Sequence, residues 1–412
     1  MRILIAAAGS RGDVDPYTGL GAGLRRAGHE VVLAAPDTFA PLVRGAGLEF
    51  RGLPGRPEAQ GGTPDRRGLM RGAAAFVNRL AGGFAAAVGD GTELLVLSTT
   101  TAPLGWHLAE ATGLPSVGAY LQPTAPTGAF PPVVTGIRSL GRLGNRAAGR
   151  LGLRTADRLY GDAVAALRRE LGLPARTPAA ERRRREAAHW PVLHGFSEHV
   201  VPRPPDWRPG LDVVGNWWPY TDPDARLPAE LEDFLAAGPP PVFIGFGSMA
   251  GGHGERLSGT AVRALRRAGL RGVLQSGAAG LAAEGDDVLT VGDVPHALLF
   301  PRTAAVVHHA GAGTSAAALR AGVPSVPVPV TADQPFWAAR LTSLGAAPAA
   351  IPFAGLTPER LADALDRAVR DPAPTRSAAT VAGRLAEEDG VGRVVEAVEA
   401  VEAVETAGRL KS

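Results

Sequence analysis

Residues 306–338, VVHHAGAGTSAAALRAGVPSVPVPVTADQPFWA, leave this chain few folds to adopt. A short apolar strand, AAVVH, runs into a Gly-rich turn at Gly311 and Gly313, and a helix opened by Thr314 and Ser315 follows. A second apolar strand, VPSVPVPV, comes next, and Asp333-Gln334 stands at the mouth of another helix. That order reads as one unit of a parallel sheet. The first-turn N–H groups of such a helix have no intrahelical partner, and the helix dipole favours negative charge there. Strand, turn and helix N-terminus therefore make an anion site, and a diphosphate suits it. His308 and His309 add donors at the strand end. Asp333 and Gln334, one strand later at the same carboxyl edge, offer acceptors and a donor suited to sugar hydroxyls.

The same alternation opens the chain. RILIAAA is a buried-strand run, residues 9–13 break it, and a helix from about Asp15 to Ala27 carries Pro16 in its first turn. Strand HEVVLAA, a helix over 37–46 and a strand over 48–52 complete βαβαβ. The first turn is not GxGxxG, so a dinucleotide fingerprint is absent. Further strands are expected at 93–98 and 114–120, with helices over 69–89 and 101–112 and helical segments to about 188. WPVLHGF and LDVVG close the first half. NWWPYTDPDARLPAELEDFLAAGPPP, rich in Pro and Asp, reads as a domain boundary, and VFIGF starts a new α/β register.

The expected organisation is α/β, with an N-terminal doubly wound domain over 1–215 and a linker over 216–240. A C-terminal doubly wound domain follows over 241–384, then a helical tail over 385–412. In the tail, valines at 395, 398, 401 and 404 drift by about 60° per step on a helix, so only one end can pack well.

A chain of 412 residues exceeds one ordinary core, and 45% hydrophobic with 20% charged residues is globular composition. No apolar run is long enough for a transmembrane helix, and the N-terminus lacks the features of a signal peptide. There is no cysteine, which excludes disulfides and Cys-based metal chemistry. A cytoplasmic protein is expected. The net charge of only +3 argues against a nucleic-acid partner, and the run ERRRRE at 181–186 reads as a solvated helix face.

GSRGDVDPYTGLGAGLRRAGHEVVLAAPDTF resembles the N-terminal block of bacterial natural-product (antibiotic-type) glycosyltransferases. PHALLFPRTAAVVHHAGAGTSAAALRAGVPSVPVPVTADQPFWAARL resembles their donor-binding block. Both blocks also occur in sterol glucosyltransferases and across the UDP-glycosyltransferase superfamily. The resemblance implies the GT-B fold, two Rossmann-like domains facing a cleft. The N-terminal domain would take the acceptor and the C-terminal domain the UDP- or dTDP-sugar. Transfer would be inverting and metal-independent, with no cofactor beyond the nucleotide sugar.

Carried across, His309, Gly311, Gly313 and Thr314 contact the diphosphate, and Asp333 and Gln334 hold the sugar hydroxyls. Ser248 is a phosphate-side contact, and Gln275 and Val294 lie where base and ribose are held. Asp13 is the general base, with Ser10, Arg11 and Gly12 beside it on the donor side. One departure is visible. Relatives usually read HHGGAGT, whereas Ala310 stands here, and its methyl would narrow the backbone's approach to phosphate.

Simpler roles compete with these. Asp13 is placed to cap the first helix, and Asp333 to cap its own; capping and ligand binding need not exclude each other. The DxD triplets at 13–15 and 222–224 are too short a signal for a metal site. The acceptor is expected on two irregular stretches, 53–80 and 121–150, which carry Phe76, Leu80, Phe130, Pro131 and Val133 and almost no acid. A small, flat, apolar acceptor fits them. Two other readings keep the fold: a nucleotide-sugar epimerase, which needs no acceptor cleft, and a non-catalytic auxiliary partner, which tends to lose the donor residues present here. Trp217 and Trp218 at the hinge should pack between domains.

Overall fold

The computed structural model describes residues 1–55, 66–136, 138–247 and 253–409. The first sheet contains β1 (Arg2–Ala6), β2 (Glu30–Pro36), β3 (Glu49–Leu53), β4 (Leu94–Leu97), β5 (Ser116–Tyr120), β6 (Val192–His194) and β7 (Leu211–Val213). The second contains β8 (Val242–Gly245), β9 (Gly272–Gln275), β10 (Val288–Val291), β11 (Ala305–His308) and β12 (Ser325–Pro327). Strand order is β3-β2-β1-β4-β5-β6-β7 in one and β10-β9-β8-β11-β12 in the other. All pairings are parallel, as in Ile3↔Val31 and Val307↔Val326. Each sheet starts at its centre, steps outward one way, then returns and steps the other way. The reversal leaves a crevice beside β1 and another beside β8, at the carboxyl ends where ligands collect in such sheets.

Both faces of β1 are covered. Leu4 and Ala6 enter one apolar cluster, while Ile3 and Ile5 enter another on the opposite face. That is why the strand is apolar throughout rather than alternating. Each such side chain stabilises by about 2 kcal/mol on full burial.

The first helix, Arg11–Arg26, begins four residues before the expected start. Ser10 takes the cap position, and the Asp13 carboxylate accepts the Ser10 N–H at 2.7 Å. Asp13 therefore lies inside the first turn, and Pro16 lies within the helix rather than at its opening.

The two halves are bound together by side chains that the linear order separates. Leu227, Leu231 and Leu235 join the core of the second sheet with Phe243 and Val306. The last helix, Gly390–Arg409, returns to the first sheet, where Val394 and Val398 are buried with Ile3 and Leu24. Val404 is 71% exposed, so one end of the valine spiral packs and the other does not. At the hinge, Trp217 lies 5.8 Å from Tyr17 and donates to the Gly390 carbonyl at 3.1 Å. The Arg320 guanidinium sits 4.5 Å over the Trp218 ring. Both tryptophans thus pack at the domain junction.

The run at 181–186 is only in part a solvated face: Arg183 and Arg184 are exposed, while Glu181 and Arg185 turn inward. In the helix Pro178–Ala187, Glu181 is fully buried and receives Arg176 at 2.6 Å and Arg185 at 2.7 Å. Arg176 and the buried Arg168 also meet Glu110, at 2.7 and 2.8 Å. One acid inside an arginine-rich run is enough to turn part of that run inward.

Candidate active site

The carboxyl edges of the two sheets supply facing walls. On the N-terminal side, Asp13 Oδ2 accepts both the Ser10 N–H at 2.7 Å and the Ser10 Oγ–H at 2.8 Å. A Cβ on Gly9 would lie 2.3 Å from the same oxygen, and Gly9 has φ +152°, so glycine is required for the carboxylate to sit there. Arg11 pairs with Asp15 and reaches across to Asp293, which also accepts from Gln275 Nε2 at 3.4 Å. Gly12 is exposed at the helix start. Val294 is buried in the core of the second sheet, with Phe243 and Phe300.

On the C-terminal side, the helix Ala312–Arg320 is capped by the Gly311 backbone, and its first closing bond is Ser315 N–H to Gly311 C=O at 2.9 Å. The helix thus opens two residues before Thr314, and the N–H groups of Ala312, Gly313 and Thr314 precede the hydrogen-bonded ladder, as an anion requires. The His309 ring packs against this turn: a Cβ on Gly311 would lie 2.5 Å from its Nε2. Burial pushes His309 down to about 4, so it is a neutral imidazole at pH 7. His308 is fully buried, and its Nδ1 accepts the Ala310 N–H at 3.2 Å, a structural role.

Ala310 differs from expectation. Its methyl is fully buried rather than placed on the open face of the turn. What it changes is the backbone, at φ +61°, a region that costs a non-glycine residue about 1–2 kcal/mol. Ala310→Val should lower unfolding free energy by about 2–4 kcal/mol, because a β-branched side chain in a closed left-handed site is both strained and overpacked. Ala310→Gly should stay within about 1 kcal/mol of the parent, since relief of strain offsets the added chain entropy. Urea denaturation of the two variants checks this.

Asp333 is 9% exposed, and its Oδ2 accepts Trp337 Nε1 at 2.8 Å and Gln122 Nε2 at 2.8 Å. Burial raises its pKa, and the negative charge of Asp13 adds to the rise. Asp13 thus lies within electrostatic reach of Asp333. Gln334 is buried, and its Oε1 accepts the N–H groups of Val330 at 2.7 Å and Thr331 at 3.0 Å. Ser248 lies outside the described residues.

Gln122 also lines a cavity of about 390 Å³ in the N-terminal domain. Phe130 and Pro131 line it as expected, with Trp106, Tyr120, Tyr160 and Trp190. Phe76 and Leu80 do not. The helix Arg66–Ala87 turns them into the apolar core, at 4% and 0% exposure, because they sit on the face that packs against the sheet. Sequence reasoning missed Gln122, Asp293 and the wall from 190–211. Only Trp190 and Trp207 hinted at that wall. Among the described residues, no group of three His, Asp or Glu side chains could hold a metal ion.

Five histidines, three of them buried and two half-buried, give the protein a pH dependence. Burial lowers His107, His194, His296 and His309 to about 4 and His308 to about 3. The unfolded chain binds protons near 6.5, so between about 6.5 and 4 it holds more protons than the folded one, and stability falls as pH falls. The thermal midpoint should be flat above pH 7 and drop steadily below about 6.5, as thermal unfolding across a pH series will reveal.

Residues 3–86 match the glycosyltransferase family 28 N-terminal domain, and residues 274–401 match the erythromycin biosynthesis protein CIII-like C-terminal domain. The chain is 40% identical to the O-mycaminosyltylonolide 6-deoxyallosyltransferase of Streptomyces fradiae, over 95% of each chain. It is 33% identical to a sterol 3-beta-glucosyltransferase of Arabidopsis thaliana, covering 96% of this chain and 65% of that one. Among solved structures, the glycotransferase of kitacinnamycin superposes with a TM-score of 0.73 at 21% identity, covering 97% of this chain and 98% of the other. The glycosyltransferase VinC in complex with dTDP superposes at 0.67 and 21% identity, covering 98% and 100%. With identity at the level of the Streptomyces relative along nearly its whole length, the chain belongs to the antibiotic-type natural-product glycosyltransferases and has their two-domain GT-B fold.

Proposed function

We propose that this enzyme is a cytoplasmic, inverting, metal-independent transferase that moves a sugar from a UDP- or dTDP-sugar to a hydroxyl of an apolar polyketide, macrolide or aromatic aglycone. The observation that supports the reading is the bond from Gln122, which lines the cavity, to Asp333 at 2.8 Å, with Asp13 within electrostatic reach of that carboxylate. The aglycone occupies the cavity and presents a hydroxyl to Asp13. Asp333 and Gln334 orient the donor sugar. Arg11, Gln275 and Val294 border the nucleoside end.

The hydroxyl oxygen attacks the anomeric carbon as the bond from that carbon to the diphosphate oxygen breaks. The bonding pair leaves with the diphosphate, and the hydroxyl proton passes to Asp13. Charge grows on the departing diphosphate, where the helix N-terminus at Ala312–Thr314 and a neutral His309 stand preorganised. Those donors take the part a divalent cation would play. A free Asp is a weak base, so proton transfer is late, when the oxygen is already bonded to carbon.

The test is nucleotide release from UDP- and dTDP-sugars with an aglycone panel in the presence of a chelator, with the anomeric configuration of the product read by NMR. Turnover that needs a divalent metal, or a product with retained configuration, overturns the reading.

A further inference from the structure

We propose that the part of the N-terminal cavity beside Trp190 is a subsite for an electron-rich oxygen of the aglycone, a carboxylate or acidic phenol held by Arg208 with Tyr120 beside it, separate from the hydroxyl that receives the sugar. The proposal rests on the reading of that cavity as the acceptor site.

The cavity lining spans the first sheet. Thr99, Thr100 and Gln122 follow β4 and β5 at its carboxyl edge. Trp190 and Leu211 stand at the amino ends of β6 and β7. Three arginines line it as well, Arg182, Arg185 and Arg208.

Two of these are neutralised. Arg182 meets Asp157 and Glu186, each at 2.9 Å, and Arg185 meets Glu181 at 2.7 Å. Arg208 is different. Its Nη1 donates to the Pro209 carbonyl and its Nη2 to the Trp190 carbonyl, both at 2.8 Å. Among the described residues it has no carboxylate partner. Glu186 and Asp212 act on it electrostatically, but Glu186 is engaged by Arg182 and Asp212 lies 3.9 Å from Arg203. Two carbonyls fix the guanidinium and, among the described residues, leave its Nε–H and the remaining Nη protons unused at a partly desolvated site.

Tyr120 lines the same cavity, and its hydroxyl lies within the field of Arg208. Among the described residues that hydroxyl has no hydrogen-bond partner. The Tyr120 ring lies 6.4 Å from that of Trp190, whose carbonyl holds Arg208, and a fixed cation and a phenol in one cavity suit an anionic or strongly polarised oxygen. A steroid lying in the cavity would put hydrocarbon there and strand the charge.

The probes are 6-hydroxy-2-naphthoic acid and 2-naphthol, which share a hydroxyl and a rigid frame and differ by a distal carboxylate. Binding of each to the full chain is measured by calorimetry, for the parent, Arg208→Gln, Arg208→Lys and Tyr120→Phe. The parent should bind the naphthoate about 10–100-fold more tightly than naphthol. Arg208→Gln should abolish the preference, Arg208→Lys should restore part of it, and Tyr120→Phe should reduce it while keeping the ring packing.

An equal preference in parent and Arg208→Gln overturns the subsite, and so does equal binding of both probes by the parent. A purely structural Arg208 would weaken both probes alike. If neither probe binds while UDP or dTDP still does, the assignment of the cavity to the acceptor fails, and the subsite fails with it.

Discussion

Asp13→Asn is expected to lower kcat by about 10²–10⁴-fold, the usual contribution of a positioned general base, while nucleotide binding stays unchanged. The substitution isolates chemistry from structure because both cap bonds fall on one oxygen. Ser10 N–H and Oγ–H both donate to Oδ2, which leaves Oδ1 without a described partner. The carbonyl oxygen of Asn can keep the bond from the Ser10 N–H, so the helix Arg11–Arg26 retains its start. What is lost is the group that takes a proton. Initial rates with saturating donor, together with calorimetry of UDP and dTDP, measure the two effects separately. Unchanged turnover would remove Asp13 from the reaction. A parallel loss of nucleotide affinity would mark it as a structural cap.

The second large effect is on stability. Glu181→Ala should cost about 3–5 kcal/mol, because removing one partner from a buried ion cluster strands the others. Glu181 is fully buried and receives Arg176, Arg184 and Arg185. Arg168 is also buried, and it shares Glu110 with Arg176. Without Glu181, several guanidinium groups face a single carboxylate. The cluster ties the helix Pro178–Ala187 to the helix Ala102–Thr112, through Arg185 donating to the Trp106 carbonyl at 3.0 Å. Arg182, Arg185 and Trp106 all line the cavity. A variant that still folds should therefore show a raised acceptor KM and an unaltered nucleotide affinity. Urea denaturation gives the stability change, and a loss below about 1 kcal/mol would place the network among solvent-screened pairs.

The Gly-rich turn and the helix start after it were legible because they are local. Strand, Gly311 and the N-terminus of Ala312–Arg320 follow one another within a few residues, and free N–H groups arise wherever a helix begins. The first helix was legible in kind but not in bounds. Whether Asp13 sat before the helix or within it depended on one side-chain bond to Ser10. The acceptor side was harder. Phe76, Leu80, Phe130 and Pro131 are equally apolar, and composition cannot say which face of a helix or loop is turned to a void. The run ERRRRE misled for a related reason: charge suggests solvent unless a complementary cluster awaits it.

The sequence by itself determined two parallel α/β halves, their order and the chemical character of the anion site. Each follows from apolar runs, turn residues and helix starts that are close along the chain. The tertiary structure alone decided which distant groups meet. Gln122 and Asp333 are 211 positions apart, and Arg11 and Asp293 are 282 apart. It also decided that Trp190, Val192, His194, Arg208 and Leu211 line the cavity and that Arg208 has no carboxylate partner among the described residues. Such pairings carry no periodic signature. They depend on how two sheets dock and which side chains that docking removes from water.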